Sequence, residues 1–240
     1  WSVTGVQTCA LPISELRRLA AAIGAADHDG RPGPYAFHHL RSWGATQVVA
    51  PGDRVMNLVE ETWTWSDVDG RGVRRTRQLE PEFPDEESRR YWQRVLGEDG
   101  VRPPTSAPSV ESTGLVGPAN PIDPDDLESV LRVDAGAGAA AKAVSSVYHG
   151  HVVPLETRRR ILQTLADVPG LRWRGTVTDR AGRSGVAVTA HDREHGMELL
   201  LVFDRETGEL LAHELVRLGG PRRVLAYTLF LEYGYRSSIN

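Results

Sequence analysis

Between Leu171 and Val216 the chain reads as four short strands laid back and forth, and this stretch limits the fold more than any other. Its three turns each open on the pair Asp-Arg, at Asp179-Arg180, Asp192-Arg193 and Asp204-Arg205, and close on Gly182, Gly196 or Gly208. Aspartate accepts hydrogen bonds from the backbone two residues on, and glycine takes the positive φ of a tight reversal. The runs between them are β-branched, aliphatic or aromatic, and Val186 and Val188 alternate onto one face. The stretch therefore predicts an antiparallel meander, and none of its acidic turns has the ligand spacing of a calcium loop.

Upstream, Tyr35 to Trp43 places Tyr35, Phe37, His39, Arg41 and Trp43 on one face, and Val55 to Trp65 follows with Val55, Val59, Trp63 and Trp65 in step. Val73 to Leu79 adds an arginine-rich strand, with Arg74, Arg75 and Arg77 read as a solvated edge. At the far end Val224 to Tyr235 is a long strand with Leu225, Tyr227, Leu229, Leu231 and Tyr233 on one face. Helices are expected over Ser14–Ala26, Glu86–Leu96, Asp125–Arg132, Ala137–Tyr148 and Pro154–Asp167, the last with Leu155, Ile161, Leu162 and Leu165 inward and Arg158, Arg159 and Arg160 outward. Segregated helices and an antiparallel sheet make an α+β fold: a curved half-barrel sheet, like that of lipoprotein carriers, with three or four helices packed on one face. Residues 14–30 form a helix and linker. Residues 31–240 form a single domain with a Pro-rich insertion at 80–121, whose Tyr91, Trp92 and Leu96 provide a docking stripe.

The totals exclude several classes. Twenty-eight basic and thirty-two acidic side chains leave a net charge of -4, too mild to draw the chain to nucleic acid by bulk field. The single cysteine, Cys9, rules out an internal disulfide framework and a cysteine zinc cluster. Gly136 to Ala141, GAGAAA, has the spacing of a dinucleotide fingerprint but follows a capped helix where the fingerprint needs a strand, so it reads as alanine-rich helix. His38 and His39 are strand neighbours and point to opposite faces, and His149 and His151 have no carboxylate at a diagnostic spacing, so no metal and no cofactor is expected. Glu60-Glu61 and Glu86-Glu87 read as solvated surface. No catalytic residues are assigned; a hydrolase would require Glu61, His39 or His151 to converge in a pocket.

The aromatic residues carry the binding expectation. Phe37, Trp43, Trp63, Trp65, Trp173, Phe203, Tyr227 and Phe230 are candidates for lining an apolar cavity on the concave face of the sheet, beneath the helices.

The segments GPYAFHHLRSW, EETWTWSDVDGRGVRRTR, NPIDPDDLESVL, ILQTLADVPGLRWRGTVTDRAGRSGVAV and LLVFDRETGELLAHELV together resemble an actinobacterial family of uncharacterised membrane-anchored proteins. Its members are often encoded beside extracytoplasmic-function sigma factors. The hairpin from Phe203 to Leu211 is similar to that of LolA-like lipoprotein carriers and of periplasmic sigma-regulatory sensors. Residues 1–13, containing VTGVQTCALPI, resemble the translation of a sequencing-library adapter and are set aside. The resemblance implies an extracytoplasmic domain, joined to the membrane only through an N-terminal anchor missing here. It implies a non-enzymatic ligand-sensing or regulatory role with a lipid or other apolar ligand and a regulatory protein partner. The alternatives are a structural protein-interaction module without a small ligand, or a hydrolase.

Overall fold

A computed structural model describes residues 12–47, 54–101, 110–118, 122–192, 195–219 and 223–239. The adapter-like start up to residue 11 and residues 102–109 of the VRPPTSAPS stretch, expected as irregular loop, lie outside the described residues. The elements run α1 (Pro12–Ala22), β1 (Tyr35–Gln47), β2 (Val55–Ser66), β3 (Arg71–Glu82), α2 (Glu86–Val101), β4 (Val110–Leu115), α3 (Leu127–Val130), α4 (Ala137–Gly150), α5 (Leu155–Asp167), β5 (Leu171–Thr178), β6 (Ser184–Asp192), β7 (Met197–Phe203), β8 (Leu210–Arg217) and β9 (Arg223–Arg236). The nine strands form one sheet in the order β4-β3-β2-β1-β9-β8-β7-β6-β5. Every pairing is antiparallel, and β4 and β5 are its edges among the described residues.

The predicted meander is β5 to β8, and the two of its turns that are described throughout work as their residues require, while Arg193 of the third lies outside the described residues. Asp179 Oδ1 accepts from the amides of Ala181 and Arg183, each at 2.9 Å, and Asp204 Oδ1 from those of Glu206 and Thr207, each at 2.8 Å. Gly182 and Gly208 close these two turns at φ 80° and 72°, in the left-handed region. The α+β class and the curved, unclosed antiparallel sheet with helices on one face are as expected. Four details differ. Helix α1 starts at Pro12 and stops at Ala22, so Ser14 is inside it and not its cap. The Pro-rich insertion supplies an edge strand, β4, as well as α2. Of its docking stripe, Trp92 is buried and Leu96 is exposed. Arg158 points inward: fully buried, it binds Asp29 and donates to the carbonyls of Thr207 and Val153, at 2.7 and 2.6 Å, clamping the 24–34 linker to α5.

The two faces of the sheet are buried in different ways. On one face Leu40, Val186, Val188, Leu199, Leu201, Phe203 and Phe230 pack against Leu16 and Ile23 of α1, Ala140, Val144 and Tyr148 of α4, and Ile161, Leu162 and Leu165 of α5. This helix-bearing face holds the larger core. The other face gathers Trp43, Val59, Val177, Ala187, Leu200, Val202, Ala212, Tyr227 and Leu229. No helix is needed there because the sheet curls onto itself. The β5–β6 turn crosses this face, so that Arg180 ion-pairs with Glu82 of β3 at 3.5 Å although five strands lie between β3 and β6 in the sheet and six between β3 and β5.

A bulge in β9 decides which aromatics share a face. His39 pairs with Glu232 but Leu40 with Phe230, leaving Leu231 as an extra residue. One inserted residue reverses the alternation beyond it. Tyr227 and Leu229 therefore lie on the helix-free face, whereas Phe230 and Tyr233 lie on the helix-bearing one, which corrects the single-face reading of this strand.

Candidate functional site

The eight candidate aromatics divide between the faces. Phe203, Phe230 and Trp173 belong to the core under the helices. Phe37, Trp43, Trp63, Trp65 and Tyr227 lie on the helix-free face, where cross-strand pairing puts Phe37 opposite Trp65 and Trp43 opposite both Val59 and Tyr227. They do not line one common cavity.

On the helix-free face arginines cap the rings. The guanidinium carbons of Arg236, Arg75, Arg77 and Arg180 stand 4.3 Å from the Phe37 centroid, 5.2 Å from Trp65, 5.2 Å from Trp63 and 4.9 Å from Trp43. Guanidinium planes lying on aromatic faces combine cation–π attraction with burial of the arginine stems. Each guanidinium also meets a carboxylate: Arg236 with Glu232, Arg75 with Glu111, Arg77 with Glu61 and Arg180 with Glu82. The Trp43 indole donates to Glu82 at 2.9 Å, completing a network with Arg180 and Tyr227, whose phenol is pushed up to about 12 by burial. Arg75 and Arg77 are thus ring caps, and β4 pairs beside them, so the solvated-edge reading is corrected.

Glu61 is likewise not solvated. It is buried, and although burial opposes its charge, hydrogen bonds from Arg41 and Arg77 hold its carboxyl below the usual range. His39 comes within 3.8 Å of Glu61 and stacks on Trp63 with centroids 4.8 Å apart. A carboxylate locked ionised by two guanidiniums cannot serve as an acid, and His151 is far off on the helix-bearing side near His38. The convergence required of a hydrolase is not met by these three residues.

The helix-bearing face contains a groove of ≈ 1030 Å³ between α4 and strands β6 to β8. Its apolar lining includes Ala139, Ala143, Val147, Met197, Leu199 and Leu215. The small residues of α4 create the space: alanine leaves a gap where a larger helical side chain would reach the sheet. Arg132 and Lys142 also line it, both exposed, and neither side chain makes an ion pair or hydrogen bond among the described residues. Lys142 is the only lysine in the chain. Arg132 stands at φ 53°, ψ 44°, the one described non-glycine residue in the left-handed region, a conformation that costs roughly 1 kcal/mol or more. His151 and His213 line the groove as well, and Nε2 of His213 is buried without a hydrogen-bond partner. Chemically the groove offers an apolar lining and unpaired cations. Among the described residues no group of three or more His, Cys, Asp or Glu is placed to hold a metal ion.

No family model matches the chain and no curated protein matches it. Solved structures do. The crystal structure of MucB shares 17% identity over 97% of this chain, with a TM-score of 0.39. MucB in complex with MucA(peri) shares 16% over 95%, and the Pseudomonas aeruginosa MucA/MucB complex 17% over 94%, each with a TM-score of 0.37. The chain covers 62% of the first of these structures and 57% of the other two. At that level the likeness assigns no role to any residue. No described helix is long and apolar enough to cross a membrane.

Proposed function

We propose that this chain is a non-enzymatic, extracytoplasmic binding domain of a membrane-bound regulatory system, and that it takes an apolar ligand in the groove between α4 and β6–β8. The observation that carries the ligand reading is the groove itself: ≈ 1030 Å³ lined by Ala139, Ala143, Val147, Met197, Leu199 and Leu215, a volume and composition suited to a small apolar molecule. Arg132 and Lys142 are the cations available to an anionic end of that ligand. The regulatory setting and a protein partner are supported by the sequence resemblance around the Phe203 to Leu211 hairpin and the four other segments. The double clamp on Glu61 supports the non-enzymatic reading.

The aromatics first singled out have a different use. Phe203 and Phe230 support the sheet beneath the helices, and the five on the other face are closed off by arginines and by the curl of the sheet. Titration with the neutral dye diphenylhexatriene tests the ligand reading. Saturable binding at pH 7.5 is expected, lost in Ala143→Trp, which fills the groove, with circular dichroism unchanged. Absence of binding, or binding indifferent to Ala143→Trp, would sink it.

A further inference from the structure

The groove ends at a set of histidines that no ligand-holding role accounts for. His38 of β1 is 1% exposed, and a ring N–H of this side chain donates to the backbone carbonyl of His151, just past the C-terminus of α4. Its Nε2 is buried and has no partner. His213 of β8 reaches the same region: its backbone pairs with Thr228 of β9, two residues from Phe230, and its own Nε2 is buried and unpartnered. His149 of α4 lies edge-on to Phe230 with centroids 4.9 Å apart, and its Nδ1 donates to the carbonyl of Ser145 at 2.7 Å. Residues distant in sequence meet here because β1, β9 and β8 are neighbours in the sheet and α4 ends above them.

We propose that His38 and His213, with His149 and His151 beside them, form a proton-operated latch that holds the C-terminal end of α4 on the sheet at neutral pH and releases it in acid, emptying the groove. The proposal rests on reading the groove as the ligand site. A neutral imidazole tolerates an unpartnered ring nitrogen among apolar neighbours. The protonated ring places a charged N–H there with no acceptor, and burial of an unpaired charge is far more costly.

The groups that face the latch do not supply a counter-charge. From α4 come Tyr148, His149 and, farther along the groove, Lys142; from the loop after it His151; from β9 Tyr233, edge-on to His38 at 5.9 Å; and from the linker His28. Glu209 is engaged by His28 at 3.3 Å, and His28 in turn accepts from Arg158 at 3.2 Å. At the other end of the groove His191 and His195 are paired with Glu198 and Asp192. His38 therefore faces His149 and His151, and His213 faces His149. Consistently, burial first, and then neighbouring histidines, hold His38 and His213 down at about 4, and burial lowers His149 and His151. His149 keeps an exposed edge, so its share is the smallest.

The sign follows from linkage. A histidine whose value is depressed in the packed state costs nothing above the free value near 6.5, and increasingly favours the released state as pH falls from there to about 4. Two measurements on the whole chain test this. Hydrogen exchange, corrected for its intrinsic pH dependence, should show amide protection over residues 140–151 dropping between pH 7.5 and 4.5 ahead of the β5–β8 strands. Diphenylhexatriene, which does not titrate, should bind at least roughly tenfold more weakly at pH 4.5 than at 7.5. In the double variant His38→Asn/His213→Leu both changes should shrink severalfold; asparagine keeps the donor to the His151 carbonyl, and leucine suits the apolar site. Equal pH dependence in wild type and variant would overturn the latch. Should the variant not fold, imidazole NMR of the wild type decides: titration of His38 and His213 near 6.5 overturns the proposal, and titration near 4 upholds it. A failure of the dye to bind at pH 7.5 would remove the groove reading alone, leaving the latch to be judged on the protection of α4.

Discussion

The two faces of this sheet solve the same problem, too much apolar surface, in opposite ways. The helix-bearing face covers Phe203, Leu201 and Phe230 with whole helices, and buried unpartnered ring nitrogens occur on both faces, Nε2 of His38 and His213 here and Nε2 of His39 on the other. The helix-free face covers Phe37, Trp63 and Trp65 with arginine side chains from neighbouring strands and Trp43 with Arg180 from the β5–β6 turn, and each capping guanidinium has a carboxylate beside it. A helix can move as a unit and uncover a groove. A cap made of separate, ion-paired side chains changes one residue at a time. Under the latch proposal the helix-bearing face is the adjustable one and the capped face the static one.

The largest effect should come from breaking the helix-bearing core. Phe203 is fully buried, and Phe203→Ala should cost about 3–5 kcal/mol, read as a fall in the urea midpoint at unchanged slope. A loss below ~1 kcal/mol would mean that this core is loosely packed and that the contrast between the faces is wrong.

Acid should separate the faces next. With His38 held at about 4 against an unfolded value of 6.5, folded stability falls as pH drops below 6.5, by roughly 3 kcal/mol for this residue once pH passes 4. Glu61 on the helix-free face runs in another window. Its carboxyl is held below 4.5, so its contribution is complete above that pH and is lost only on further acidification. His39 beside Glu61 is also lowered, by burial first, but the Glu61 carboxylate opposes that shift, so it adds less on that side. Urea midpoints measured from pH 7.5 to 3.5 in wild type and His38→Asn should differ in slope chiefly above pH 4.5; parallel curves there would contradict the assignment.

Much of this contrast was hidden in the sequence, and for physical reasons. The Asp-Arg-Gly turns were legible because each is local chemistry, a carboxylate and a glycine within five residues. The alternation of β1 and β2 was legible for the same reason, and it correctly separated His38 from His39. The bulge at Leu231 was not, because Leu225, Tyr227, Leu229, Leu231 and Tyr233 keep a perfect period of two through it. Strand β4 was hidden within the Pro-rich insertion because VESTGL has little apolar content, and its place is set by pairing with β3. Arg158 shared a helix-surface pattern with Arg159 and Arg160, and only the position of Asp29, far away in sequence, draws it inside. The groove escaped notice because its α4 wall is made by small residues, Ala139 and Ala143, and aromatic patterns direct attention elsewhere.

On the helix-free face, Glu61→Gln tests whether the caps act as a network. The side chain is only 3% exposed while Arg41 and Arg77 are 38% and 51% exposed, so the arginines can turn to water once the charge is gone. The expected cost is about 2 kcal/mol, below that of the Phe203 truncation and below the acid effect. Its pH signature is more telling than its size: the stability loss of wild type below pH 4.5 should become shallower in the variant.

The smallest effect separates charge from stacking at a single cap. Arg75 lies over Trp65 at 5.2 Å and reaches Glu111 at 2.8 Å, and its side chain is 31% exposed. A partly exposed cation–π contact is worth roughly 0.5–1 kcal/mol and a surface ion pair about as little, so Arg75→Ala should lower stability by ~1 kcal/mol in urea denaturation. Arg75→Lys keeps the charge but loses the planar guanidinium that lies along the indole. If burial of Trp65 under a flat group is what matters, lysine should recover less than half of the alanine loss, and raising salt should change little. If lysine restores the full stability and salt removes it, the caps are ion pairs that happen to sit over rings, and the helix-free face is held by charge, not by arginines substituting for helices.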